Sequence, residues 1–171
     1  FTVTSIGFSK KIIFRNKAKL NDDIYVTGNL GDSFAGLNIL KKKISANKLL
    51  TKYFESKYYL PDLHLKLSNR LLTFANTSID ISDGLLYDLE KLINKQKLSY
   101  TLDMNNIPTS NNLNKILMQK KLDKMSYISR GDDYQILFTA DSAKSRIINK
   151  TSKSLGIKIS KIGKICSNQQ K

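Results

Sequence analysis

Tryptophan is absent from this chain of 171 residues, and cysteine and histidine occur once each, as Cys166 and His64. A lone cysteine closes no internal disulfide, and one histidine beside it cannot complete a zinc site from soft ligands. Proline is confined to Pro61 and Pro108, each at a boundary between apolar segments. No apolar stretch is long enough to cross a bilayer, and the opening residues do not read as a signal peptide. The expectation is a soluble cytoplasmic protein with no membrane partner. Acidic residues are also scarce, with 14 Asp and Glu against 29 Lys and Arg and a net charge of +15. Such an excess suits nucleic acid, because Lys and Arg release counterions from a phosphate backbone. The lysines are scattered through almost every segment, however, with no long basic run and no interleaved aromatics to make a stacking platform. The plainer reading, a lysine-, asparagine- and isoleucine-rich composition imposed by an AT-biased genome, is preferred over a basic nucleic-acid-binding module.

Apolar residues make up 40% of the chain, enough for one domain with a real core. Its most informative stretch is Ser78-Ile79-Asp80-Ile81-Ser82-Asp83-Gly84-Leu85. Ile79 and Ile81 flank Asp80 with strand alternation. Gly84 then breaks the run, and Leu85, Leu86, Leu89, Leu92 and Ile93 follow at helical spacing. The pattern predicts a buried strand ending at Ser82-Asp83-Gly84 and a helix starting there. The unpaired N–H groups and partial positive charge of a first helical turn suit phosphate. Carboxylates at Asp80 and Asp83 attract a hard cation such as Mg2+. Together they suggest a nucleotide site, and the alternative is that Ser82 or Asp83 merely caps the helix.

Around that unit the expected elements alternate. Phe1 to Phe8 reads as a strand that begins abruptly, as in a fragment of a longer protein. Lys10 to Asn21 reads as a basic loop containing Arg15. Asp23 to Thr27 is a second strand, and a helix opens at Gly31-Asp32-Ser33 with Phe34, Leu37, Leu40 and Ile44 inward, capped by Asp32 or Ser33. A short helix over Lys48–Phe54 leads to a linker at Tyr58-Tyr59-Leu60-Pro61, and Asp62 leads a helix reaching Phe74. His64 has no evident partner. Ser99–Asp103 reads as a strand and Leu113–Leu117 as a helix, with Met125–Ile128 either its continuation or an extended link. Next, Ser129 to Thr139 runs from an acidic turn, Gly131-Asp132-Asp133, straight into an apolar strand. Two adjacent carboxylates at the mouth of a buried strand are costly unless a ligand, an ion or hydrogen bonds settle them, although such a sequence also forms solvated turns. A last helix starts at Asp141 or Ser142 and stops at Gly156, and Ile157–Cys166 is the final strand or pair of strands. The order predicts an α+β fold, a mixed β-sheet covered by helices.

There is no Gly-rich phosphate loop followed by Lys-Ser/Thr, no dinucleotide fingerprint and no protein-kinase signature, so any nucleotide chemistry uses another scaffold. Three stretches taken together, Tyr25–Leu37, Ile79–Leu85 and Gly131–Thr139, resemble the C-terminal half of the thiamine-monophosphate kinase family. Thr2–Gly7 and Arg15–Lys19 are similar to it as well. The resemblance implies the fold of the aminoimidazole-ribonucleotide-synthetase-like superfamily, with residues 1–171 as a single C-terminal domain and an N-terminal ATP-binding domain absent. It implies transfer of the γ-phosphate of ATP to thiamine monophosphate, with several Mg2+ ions and K+ as helpers, in a homodimer when full length. Carried over by motif, Asp80 and Asp83 match metal ligands, Ser82 and Arg15 match contacts to ATP, and Asp132 matches a residue that binds the thiamine substrate. Asp132 stands where the family usually has a glutamate, so its carboxylate is one methylene shorter, and Gln135 replaces a usual acid. An aromatic residue near the family's C-terminus that contacts substrate has no counterpart here. Another phosphate acceptor within the superfamily, or an inactive remnant, are the rival expectations.

Overall fold

The computed structural model describes residues 2–4, 6–9 and 11–168. Five strands form one sheet in the order β2-β4-β1-β5-β3: β1 (Asp23–Thr27), β2 (Ala75–Asp80), β3 (Leu98–Leu102), β4 (Ile136–Ala140) and β5 (Ile159–Ser167). All four pairings are antiparallel. Seven α-helices accompany them: α1 (Asp32–Leu40), α2 (Lys48–Tyr59), α3 (Leu65–Leu71), α4 (Leu85–Ile93), α5 (Asn111–Lys120), α6 (Lys124–Ile128) and α7 (Ser145–Leu155). This is the expected α+β arrangement of helices over a sheet, with the sheet antiparallel throughout where a mixed one was expected.

Strand alternation sorts the core into two layers. Ile24, Val26, Ile79, Leu137, Ile162 and Ile165 face one side, where Leu85, Leu89 and Leu92 of α4 cover them. Tyr25, Phe138 and Ala140 face the other, under Leu67 and Leu71 of α3 and Ile148 of α7. β1 is buried along its whole length because it lies in the middle of the sheet with both faces covered. A third, separate cluster gathers Ala35, Phe54, Leu113, Ile116 and Tyr127 from α1, α2, α5 and α6.

Several boundaries differ from the sequence expectation. The described residues of the opening segment form no strand, and Val3, Ile6 and Phe8 are exposed; alternation alone does not hold a strand that has no partner to bond. Phe1 and Ser5, like Gln169–Lys171, lie outside the described residues. α2 runs on through Tyr58 and Tyr59 and stops at Leu60, because a proline restricts chiefly the residue before it. α3 begins only at Leu65, since Asp62 turns back to pair with Lys57 at 2.6 Å. α1 ends at Leu40, leaving Ile44 beyond it, and neither Asp32 nor Ser33 caps it. Met125–Ile128 belong to a separate short helix whose N-cap is Asp123, and the last strand is single.

Candidate functional site

β2 ends at Asp80 and α4 starts at Leu85, and the four residues between them make the turn. Gly84 sits at φ 124°, a conformation open to glycine and strained for other residues. A Cβ there would lie 2.2 Å from the Ser129 carbonyl oxygen, and a Cβ on Gly131 would lie 1.7 Å from that of Ser82. Two loops, 81–84 and 129–135, are therefore pressed together backbone to backbone. Hydrogen bonds weld them. The Asp132 N–H donates to the Ser82 carbonyl (3.0 Å), that of Tyr134 to Ile81 (2.9 Å), and that of Ile81 to Gln135 (2.8 Å). The predicted metal and substrate motifs, about fifty residues apart in sequence, share one rim of the sheet.

Asp80 and Asp83 are exposed there, and Ser82 and Asp132 are half-buried. The conformation of the second loop accounts for where Asp132 goes. Asp132 and Tyr134 are both left-handed, at φ 64° and 51°, which is uncommon for non-glycine residues and carries strain. Between them Asp133 turns inward and is almost wholly buried, and both of its carboxylate oxygens accept the Gly31 N–H, at 3.1 and 2.9 Å. The two flanking residues are left facing the rim. The Tyr134 hydroxyl is turned toward Asp132, and burial, followed by the charges of Asp132 and Asp80, raises its pKa.

The first turn of α4 differs from the expected phosphate cradle. The N–H groups of Ser82, Asp83 and Gly84 all converge on one carboxylate oxygen of Asp88, at 2.9, 2.9 and 3.1 Å. Neither Ser82 nor Asp83 caps the helix; the buried Asp88, one turn further on, holds the turn. Lys91 completes the arrangement. Its Nζ pairs with Asp83, lies 3.5 Å from the second oxygen of Asp88, and sits 4.4 Å from the centre of the Tyr87 ring.

Arg15 lies elsewhere. It is exposed, and the next residue, Asn16, donates its N–H to Leu92 (2.8 Å) and accepts from Lys95 (3.1 Å). Both partners are at the C-terminal end of α4, whose nine residues place it about 13 Å from Gly84. The structure gathers Asp80, Ser82, Asp83 and Asp132 at one rim and does not bring Arg15 to it.

Sequence reasoning missed a second buried group behind the rim. Asp32 accepts from Tyr53 (2.8 Å) and Ser110 (2.6 Å), and burial raises its pKa despite them. Burial likewise pushes Asp133 up to about 8, with the Gly31 N–H opposing. Gln135 accepts from Thr27 at 2.8 Å and lies 2.7 Å from Nε2 of His64, which gives the histidine its partner. Asp32, Asp133 and Gln135 line a small polar cavity of about 70 Å³, together with Lys57, Pro61 and Asp62. No group of three or more His, Cys, Asp or Glu side chains able to hold a metal ion is gathered among the described residues. Asp80 and Asp83 offer the hard, exposed oxygens that Mg2+ takes, and as a pair they fit as part of a ligand set.

No family model matches the chain. It is 35% identical over 165 residues to the thiamine-monophosphate kinase of Buchnera aphidicola subsp. Schizaphis graminum, a match covering 94% of this chain and 50% of the relative. Among solved structures, the thiamine-monophosphate kinase of Stenotrophomonas maltophilia K279a superimposes with a TM-score of 0.81 at 27% identity, over 91% of this chain and 50% of that one. The structure of AaThiL complexed with AMPPCP and TMP gives 0.78 at 26% identity, over 91% and 48%. The sheet, its helical cover and the paired loops thus define a protein of the aminoimidazole-ribonucleotide-synthetase-like class. Within that class the chain is homologous to thiamine-monophosphate kinase. It spans about half the length of the curated relatives it matches. No helix among the described residues is long and apolar enough to cross a membrane.

Proposed function

We propose that residues 1–171 form the single C-terminal domain of a cytoplasmic thiamine-monophosphate kinase, in which the γ-phosphate of ATP passes to the phosphate of thiamine monophosphate. The observation that carries this reading is the weld between the loops, above all the 3.0 Å bond from the Asp132 N–H to the Ser82 carbonyl. It holds Asp132, the residue proposed to read the acceptor, beside the strand end and turn that carry Asp80 and Asp83. Transfer between two phosphates asks chiefly for positioning and for neutralising charge, with no covalent intermediate on the protein.

In this reading Asp80 and Asp83 hold Mg2+, Ser82 contacts ATP, and Asp132 binds the thiamine moiety. Bound Mg2+ supplies charge neutralisation on the phosphates. Two exposed carboxylates are too few for the several Mg2+ ions of the family, so a further domain completes the ligand set, and K+ assists. That domain fits the half of the relatives' length that this chain does not span. Its placement also gives Arg15 a role: the arginine reaches nucleotide held across the domain boundary, or across the homodimer. The groove of about 420 Å³ beside Asp80, lined by Lys11, Ile13, Leu71 and Leu72, lies next to the exposed opening segment and suits such a contact.

An ADP-release assay tests the proposal. Expressed together with the coding sequence upstream of Phe1, the protein forms ADP only when thiamine monophosphate and Mg2+ are present, and the 171-residue chain alone gives no turnover. ADP formation that ignores thiamine monophosphate overturns the acceptor assignment, and turnover by the chain alone overturns the need for a second domain.

A further inference from the structure

Lys91 has no assigned role, yet it pairs with Asp83, one of the two predicted metal ligands. Its ammonium pairs with Asp83 and lies 3.5 Å from Asp88, above the Tyr87 ring at 4.4 Å. The two acids differ sharply. Asp88 is fully buried, and one of its oxygens already takes three backbone N–H groups. It cannot leave without unmaking the turn, because each donor would lose its partner. Asp83 is about half exposed and is held by Lys91 at its open end.

Resting on the reading of Asp83 as a metal ligand, we propose that Lys91 is an internal counter-ion that occupies Asp83 until a divalent cation takes its place. Asp88 and the Tyr87 ring anchor the ammonium while Asp83 changes partner. Lys91 then stays beside the site, held by Asp88 and the Tyr87 ring. It is a positioning residue: it keeps the Asp83 carboxylate oriented and charge-balanced in the empty site, and it makes cation entry an exchange and not a simple addition. An opposite charge in contact with a carboxylate competes with any other cation for the same oxygens, so removing it strengthens metal binding.

The test is Mn2+ binding to the full-length protein, expressed together with the coding sequence upstream of Phe1 and followed by electron paramagnetic resonance of the free ion. Lys91→Met removes the ammonium and keeps a long stem over Tyr87, and Lys91→Arg keeps the charge. Lys95→Met, one turn further along the chain, controls for loss of net charge alone. The expected result is Mn2+ binding several-fold tighter in Lys91→Met, unchanged within about twofold in Lys91→Arg, which keeps the charge, and in Lys95→Met, and weakened in Asp83→Asn. Equal binding in wild type and Lys91→Met, or the same gain in Lys95→Met, overturns the exchange. Mn2+ binding in Asp83→Asn equal to wild type overturns instead the assignment of Asp83 to the metal. Circular dichroism of Lys91→Met confirms that the turn is intact.

Discussion

Replacing Asp133 gives a pH experiment whose sign follows from the structure. Burial pushes this carboxyl from 3.8 to about 8, so the folded protein keeps a proton that the unfolded chain releases above about pH 4. Where the native state binds more protons, stability falls as pH rises. The contribution is complete below pH 4 and is lost on the way to pH 8. One extra bound proton is worth ~1.4 kcal/mol per pH unit, so raising the pH from 5 to 7 costs up to about 3 kcal/mol. Asp32 shifts in the same direction, again through burial, and adds to the slope. Asp133→Asn cannot titrate, yet its amide oxygen can still accept the Gly31 N–H. Urea unfolding followed by circular dichroism, at pH 5, 6, 7 and 8, should show a steady loss in wild type and a clearly shallower one in Asp133→Asn. Asp133→Ala leaves the buried Gly31 N–H without an acceptor and costs about 1–3 kcal/mol at every pH. A wild-type stability that does not change between pH 5 and 8, or an Asp133→Asn slope equal to wild type, refutes the reasoning.

Gly131→Ala places a Cβ 1.7 Å from the Ser82 carbonyl and 2.8 Å from the Asp83 Cα; the loops must part, at a cost of about 1–3 kcal/mol, and urea unfolding reads the loss. Gly156→Ala is its control, since its Cβ meets nothing within 4 Å and only the φ of 64° is strained, so about 1 kcal/mol is lost with Mn2+ binding unchanged. Phe138 is fully buried and stacks on Tyr25 at 5.3 Å; Phe138→Ala should cost about 3–5 kcal/mol in the same assay.

The strand–turn–helix unit around Asp80 was legible because Gly84, alternation before it and 3.6-residue spacing after it all agree on one break. The terminal glycine of α7 was legible for the same reason, and Gly156 is left-handed there. Phe1–Phe8 shows the limit, for alternation records a preference for a strand and not the presence of a partner. Asp88 left a signal that went unread: it shares the stripe of Leu85, Leu89 and Leu92, and an acid on an apolar face must find donors. Its three donors are the very amides expected to hold phosphate. Asp133 was half legible, since two adjacent acids at a strand mouth required some compensation, but nothing local names Gly31, 102 residues away, as the donor. The pairing of His64 with Gln135 spans 71 residues and carries no local pattern at all.

The central claim, that Asp132 reads the phosphate acceptor beside a metal-holding Asp83, is tested most directly by steady-state kinetics of Asp132→Ala in the full-length enzyme, with Asp83→Ala beside it. Asp132→Ala should raise KM for thiamine monophosphate far more than KM for ATP, Asp132→Glu should bind the acceptor more tightly than wild type, and Asp83→Ala should chiefly depress kcat. Equal effects of Asp132→Ala on both Michaelis constants would mean that Asp132 only supports its loop, and would contradict the account.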